Sequence, residues 1–261
     1  MARASWIVQT NVEAESTSPG LLRRACAELG LRFFGVSVVA GSSSLPELPD
    51  IEGPVVFHGR NTLIQNALRH PHWRKGVFFA PENFHHDAYV TGFGADLLNA
   101  GARVVTFEQL LVLDYAPSTA LFVRPYDDSK RFTGQALRFS QCNALYEALG
   151  GASRNVGAER VVVAEVRELD AEWRLFLVGS RVVSGSMYRP SGERSVPMEL
   201  IEFAEAAARR FSPAPVFVMD VARVEQTWKI VECNCFNGSR FYEADVSAIV
   251  HAVSRFQEEN W

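Results

Sequence analysis

Short apolar runs and longer helical patterns alternate through the first part of the chain. SWIVQT, LRFFGVSVVA, PVVFHG and KGVFFA read as strands, and PGLLRRACAEL, TLIQNALRH and ADLLNAG as helices. That order predicts an α/β layer with parallel strands. The polar stretch Ser42 to Asp50 reads as a surface connection. Pro117 interrupts the pattern within Asp114 to Thr119, which sets an expected boundary between residues 1–116 and 117–261.

The second part has a different rhythm. ALFVRP predicts a strand, YDDSKRFTG a polar loop and QALRFS a return strand. A short helix is expected over Ser140 to Leu149, then a strand over Arg160 to Glu168. AEWRLFLVG and RVVSGSMYR predict an antiparallel pair about Gly179 and Ser180. Ser195 reads as the cap of a helix whose apolar face carries Leu200, Phe203, Ala204, Ala207 and Phe211. PVFVMDVA and TWKIVECN follow as a hairpin, and a last helix opens near Asp245. The expected class is α/β, turning to α+β in the C-terminal part.

The last hairpin carries polar residues where a core strand is expected. Alternation puts Ile230, Glu232 and Asn234 on one face, and Val231, Cys233 and Cys235 on the other, toward the core. Folding the hairpin about Gln226 brings Asp220 opposite Glu232. Two carboxylates directly opposed destabilise a sheet unless something neutralises them. A hard divalent cation such as Mg²⁺ does so, with Asp220, Glu232 and Asn234 as its ligands. Solvation of each acid, or pairing with Lys229 or an arginine, is the alternative.

Composition narrows the partners. At 261 residues and 48% hydrophobic, the chain is long enough for one large or two smaller cores, and its net charge of -4 gives no overall basic field for nucleic acid. No apolar run reaches membrane-spanning length and no signal peptide is evident, so a cytoplasmic protein without a membrane partner is expected. Four cysteines without CxxC spacing read as reduced thiols. His85, His86 and Asp87 are adjacent and point apart in extended chain, a poor chelate; they read as loop or helix-start residues. His58 reads as a satisfied histidine that could also line a cleft. GxSxG, HExxH, Walker A and GxGxxG motifs are all missing.

From Leu121 onward, the order FVRP, DSKRFTG, VVVAEV, VMDVA and VECN resembles the ATP-grasp superfamily, and within it a subgroup with two arginines and a lysine around the nucleotide. The resemblance implies an ATP-grasp fold preceded by a small α/β pre-ATP-grasp domain, with ATP and Mg²⁺ as cofactors. It implies that Asp220, Glu232 and Asn234 hold the metal and that Arg124 and Lys130 contact the nucleotide phosphates. Glu165 would sit at the adenine or ribose edge, with Val166 offering backbone groups to adenine. Arg174 and, secondarily, Arg189 would join Lys130 in offsetting charge on the transferring phosphoryl group. Between Tyr126 and Gly134 the phosphate loop holds only one glycine, so Ser129, Lys130 and Thr133 would bind through side chains.

The implied activity is an ADP-forming carboxylate–amine ligase acting through an acyl phosphate on a peptide, an amino acid or another small molecule. A kinase on the same scaffold, or a regulatory ATP-binding module, are the rivals. Asn237 and Arg240, just past the metal strand, read equally as substrate contacts and as turn residues. Oligomeric state is not legible.

Overall fold

The computed structural model describes residues 2–12, 17–48, 50–128, 131–190 and 194–261. Three parallel strands come first: β1 (Ser5–Gln9), β2 (Arg32–Val36) and β3 (Val55–His58), in the order β2-β1-β3. The central strand, β1, is buried along its whole length, which is why SWIVQ is apolar on both faces. Helix α1 (Ser18–Glu28) buries Leu22, Ala25 and Cys26, three positions on one helical face. Helix α2 (Asn61–Arg69) does the same with Leu63, Ile64 and Ala67.

The expected strand KGVFFA does not form. Trp73–Gly76 is a 3₁₀ turn, and the chain beyond it is held by a side chain rather than by a neighbouring strand. Asn237 accepts from the Phe78 amide at 2.7 Å and donates to the Gly76 carbonyl at 3.1 Å. The segment ADLLNAG is likewise not a helix: Gly94–Asp96 is a 3₁₀ turn, and the Leu98 amide then donates to the Ile230 carbonyl at 2.8 Å. Between them lies a helix that the periodicity did not reveal, α3 (His86–Phe93). His85 is its N-cap and accepts from the Ala88 amide, so the His85–Asp87 run is a helix start.

A four-stranded antiparallel sheet follows. It comprises β4 (Arg103–Thr106), β5 (Ala120–Pro125), β6 (Gln135–Arg138) and β7 (Arg160–Glu165), in the order β4-β7-β5-β6. Helices α4 (Phe107–Leu111) and α5 (Cys142–Ala148) cover it, and Phe107, Leu110, Val123 and Tyr146 share its own small core. Thus β4 and α4, which precede residue 117, pack with the strands that follow it.

The second antiparallel sheet is larger: β8 (Ala171–Val178), β9 (Arg181–Arg189), β10 (Val216–Val224) and β11 (Thr227–Cys235), in the order β11-β10-β8-β9. Helix α6 (Met198–Arg210) lies between β9 and β10 in sequence. Its N-cap is Pro197, and Ser195 does not cap it, because the helix begins two residues later than the expected Ser–x–Pro start. Helix α7 (Val246–Asn260) is capped by Asp245, which accepts from the Ala248 amide at 3.0 Å. It returns to the first layer, where Trp6 donates to Ser254 Oγ at 3.0 Å. One continuous core therefore joins Trp6, Leu22 and Val56 to Phe176, Phe217, Phe236 and Val250. No helix among the described residues is long and apolar enough to cross a membrane.

Candidate active site

The two antiparallel sheets face each other across a cleft of about 570 Å³. On the large-sheet side, Glu172 and Arg174 project from β8, Tyr188 and Arg189 from β9, Asp220 from β10, and Val231 and Glu232 from β11. Asp220 lies opposite Glu232, as the hairpin reading required. Two local features produce that register. Glu225 and Gln226 both adopt left-handed backbone (φ 47° and 67°), giving a two-residue turn. A bulge then makes Val231 the extra residue, with Val221 opposite Ile230 and Asp220 opposite Glu232.

The bulge also corrects the expected facing. Ile230 is fully buried in the core, and Val231 lines the cleft. Cys233 and Cys235 are buried as expected, and burial drives the Cys233 thiol well above its usual range.

Asp220 is held by a bidentate pair. Arg174 Nε donates to Oδ1 at 2.8 Å and Arg174 Nη2 to Oδ2 at 2.7 Å. Asn234 Nδ2 bridges the two acids, donating to Asp220 Oδ2 at 3.1 Å and to Glu232 Oε1 at 3.2 Å. Lys229 serves neither acid; its amine reaches the Ala95 carbonyl. Burial opposes the charge on Arg174, but the Asp220 carboxylate and its two hydrogen bonds outweigh burial and hold the guanidinium protonated. Glu172 pairs instead with Arg189 at 3.2 Å. Burial raises the Glu172 pKa, against the opposing pull of Arg189. Tyr188 and Tyr242 stack at 4.9 Å, and the Arg174 guanidinium lies 5.0 Å from the Tyr242 ring centre.

The small-sheet wall is built differently. Arg124, near the end of β5, is buried yet lines the cleft. Its Nη2 donates to His86 Nδ1 at 3.2 Å and its Nη1 to the Pro125 carbonyl at 3.3 Å. Its Nε is buried with no hydrogen-bond partner among the described residues. Glu165 and Val166 line the opposite rim, where β7 ends, and both are exposed. Gly134 closes over Arg124: a Cβ there would lie 2.9 Å from Phe122 Cζ and 3.0 Å from Arg124 Cβ. Lys130, expected at the phosphates, lies outside the described residues, as does Ser129.

Asp220, Glu232 and Asn234 offer two carboxylates and an amide, a donor set that suits a hard cation such as Mg²⁺. No group of three or more His, Cys, Asp or Glu side chains among the described residues suits a metal, so the amide would have to complete the set. The unpartnered N–H of Arg124 suits an anionic ligand, because a buried donor left unpaired costs about 1–3 kcal/mol.

Asn237 is a structural staple. It is fully buried and bonds to the backbone of Phe57, Gly76 and Phe78. Arg240 is exposed and lines a second cavity of about 170 Å³, together with Gln9, Ser18 and His58. His58 is buried, donates to the Ser239 carbonyl at 3.1 Å and stacks on Phe241. The Arg240 carbonyl accepts from Arg174 Nη1 at 3.5 Å, which ties this cavity to the cleft. The residues that the sequence did not reveal are His86, Tyr188 and Tyr242. Each takes its role from a contact made across elements, which no local spacing encodes.

The fold matches solved structures over nearly its whole length. One is an ATP-grasp ligase, PsnB, complexed with a minimal precursor (TM-score 0.61, 11% identity, 98% of this chain and 100% of that one). Another is the D-cycloserine synthetase DcsG (TM-score 0.59, 15% identity, 97% and 98%). A third is the D-alanine–D-alanine ligase of Bacillus anthracis complexed with ATP (TM-score 0.54, 11% identity, 99% of each chain). No curated protein sequence matches this chain. A family model described as an ATP-grasp domain, the third family of its clade, matches residues 60–253. With that model spanning both antiparallel sheets and the cleft between them, this α/β chain belongs to the ATP-grasp superfamily.

Proposed function

We propose that this protein is an ATP-dependent, ADP-forming carboxylate–amine ligase. The observation that carries the reading is the convergence of Asp220, Glu232, Arg174 and Arg124 from two facing sheets on one cleft. The similar structures include ligases, one complexed with ATP and one with a peptide precursor, which supports a nucleotide in the cleft and a peptide or small acid as substrate.

Asp220, Glu232 and Asn234 would hold Mg²⁺. When bound, it would supply positive charge to the nucleotide phosphates. Arg124 would bind those phosphates from the other wall, with Lys130 as a second cation; Arg174 and Arg124 are the two arginines of the subgroup pattern. Arg174 would meet the charge that develops on the transferring group, with Arg189 at the rim. Glu165 and Val166 would border the base and ribose. Residues 1–116 form the proposed pre-ATP-grasp domain and residues 117–261 the proposed nucleotide-binding one, with β4 and α4 contributed to the small sheet from the first.

In the proposed reaction a carboxylate oxygen of the substrate attacks the γ-phosphorus, and the bond to the β,γ-bridging oxygen breaks. ADP leaves, and an acyl phosphate remains. An amine then attacks the acyl carbon, phosphate departs with the bonding pair, and the nitrogen gives up a proton. The side chains act mainly by positioning and by neutralising charge.

Hydroxylamine trapping with ADP measurement tests this on candidate acids. A hydroxamate formed with ADP, and lost in Glu232→Gln, is the expected result. A stable phosphorylated product would make the protein a kinase, and ATP binding without turnover on any acid would make it a binding module.

A further inference from the structure

His86 meets Arg124 where α3 docks beneath the small sheet. The imidazole is buried, and both its flanks are fixed. The His86 amide donates to the Tyr126 carbonyl at 2.9 Å, and the Asp128 amide donates to the Phe84 carbonyl at 3.2 Å. The His85 ring, one residue earlier, stacks on Tyr126 at 5.2 Å. Tyr126 O–H in turn donates to Asp87 Oδ2 at 2.9 Å, and the Arg160 guanidinium lies 3.8 Å from the Tyr126 ring centre. The acceptor Nδ1 of His86 is therefore held in place by the start of its own helix and by the segment after β5.

We propose that His86 is a positioning residue that fixes the Arg124 guanidinium against the phosphates of a bound nucleotide, which rests on the reading of Arg124 as a phosphate ligand. Two features single out an imidazole. Arginine has several rotatable bonds, so anchoring one corner of its guanidinium removes disorder that a phosphate would otherwise have to remove on binding. A carboxylate at the same point would anchor the group equally well but would also cancel its charge. Arg174 shows that arrangement on the opposite wall, where Asp220 compensates it. A neutral acceptor holds Arg124 and leaves its charge for the ligand. Burial and the nearby charge of Arg124 lower the His86 pKa to about 4, so the ring is neutral at neutral pH.

The test is a calorimetric titration with Mg²⁺ and a non-hydrolysable ATP analogue, with adenosine as a phosphate-free control. Arg124→Ala should weaken the analogue about tenfold or more, the loss of a charge-assisted contact. His86→Phe keeps a ring but removes the acceptor, and should weaken the analogue about fivefold. His86→Asn retains a neutral acceptor near Nδ1 and should bind as the parent does. His86→Asp retains the anchor but adds charge, and should weaken the analogue as much as Arg124→Ala. Adenosine affinity should not move in any variant, and His86→Phe should add nothing on top of Arg124→Ala.

If Arg124→Ala binds the analogue normally, the phosphate role of Arg124 fails and this proposal falls with it. If Arg124→Ala is weakened but the Asn and Asp variants bind alike, the role of His86 alone is overturned. That comparison decides the matter even if His86→Phe does not fold. Parallel losses of adenosine and analogue affinity would also overturn it.

Discussion

On the large-sheet wall of the cleft each arginine faces a carboxylate, Arg174 against Asp220 and Arg189 against Glu172. On the small-sheet wall Arg124 leans on an imidazole, and among the described residues no carboxylate pairs with it. The first wall is preorganised by its own charges: Asn234 and the bidentate pair fix the acids before any ligand arrives. The second wall keeps positive charge uncompensated. A cleft built this way suits a ligand that brings both a cation and an excess of negative charge, each addressed to a different wall.

Four experiments break or sharpen that contrast. Asp220→Asn should have the largest effect. It removes a proposed metal ligand, so turnover should be lost, and it strips a buried arginine of its partner. Breaking such a pair costs about 3–5 kcal/mol, so a lowered Tm should accompany the loss of ADP formation. Acidification should strike the other wall. His86 has a folded pKa of about 4, below its unfolded value of 6.5. Between those values the unfolded chain takes up a proton that the folded one refuses. Stability therefore falls as pH drops through this window, by at most about 3 kcal/mol, and is unaffected by His86 above it. Denaturant titrations from pH 7 to pH 4 should show the decline in the parent and a flatter profile in His86→Asn.

Glu232→Gln tests the preorganised wall without dismantling it. Glu232 is half-exposed and its described side-chain bond is one from Asn234. Turnover should drop about a hundredfold or more while Tm stays near the parent value, a split that Asp220→Asn should not show. The smallest effect should come from Gly134→Ala. The added methyl meets Phe122 and the base of the Arg124 side chain, and overpacking of that kind costs about 1 kcal/mol or slightly more. A weaker nucleotide affinity with little change in Tm is the expected reading.

Much of the large sheet was legible because its strands are long and their polar residues stand out against apolar neighbours. VMDVA and VECN gave the pairing of Asp220 with Glu232. The bulge at Val231 was not legible. Alternation assumes a regular ladder, so Ile230 and Val231 exchanged faces. The first layer misled for another reason: KGVFFA has strand composition, but its backbone partner is the Asn237 side chain, some 160 residues away in sequence. Helix α3 escaped because it is short, contains Gly92 and opens with two histidines and an aspartate. With it went His86 and its contact with Arg124. The charge pairs followed the same rule. Glu172 and Arg174 share a face, yet each finds its partner on a neighbouring strand rather than in the other.

Helix α7 has a consequence for how the molecule comes into being. Its Gln257 donates to the carbonyls of Val55 and Lys75, Glu258 accepts from the Ala4 amide, and Ser254 accepts from Trp6. The parallel layer leaves the ribosome first, but its polar backbone and its Trp6 indole are satisfied only by side chains made much later. That layer must wait, incomplete, while both antiparallel sheets are synthesised, and the nascent chain locks only when α7 folds back across its own beginning.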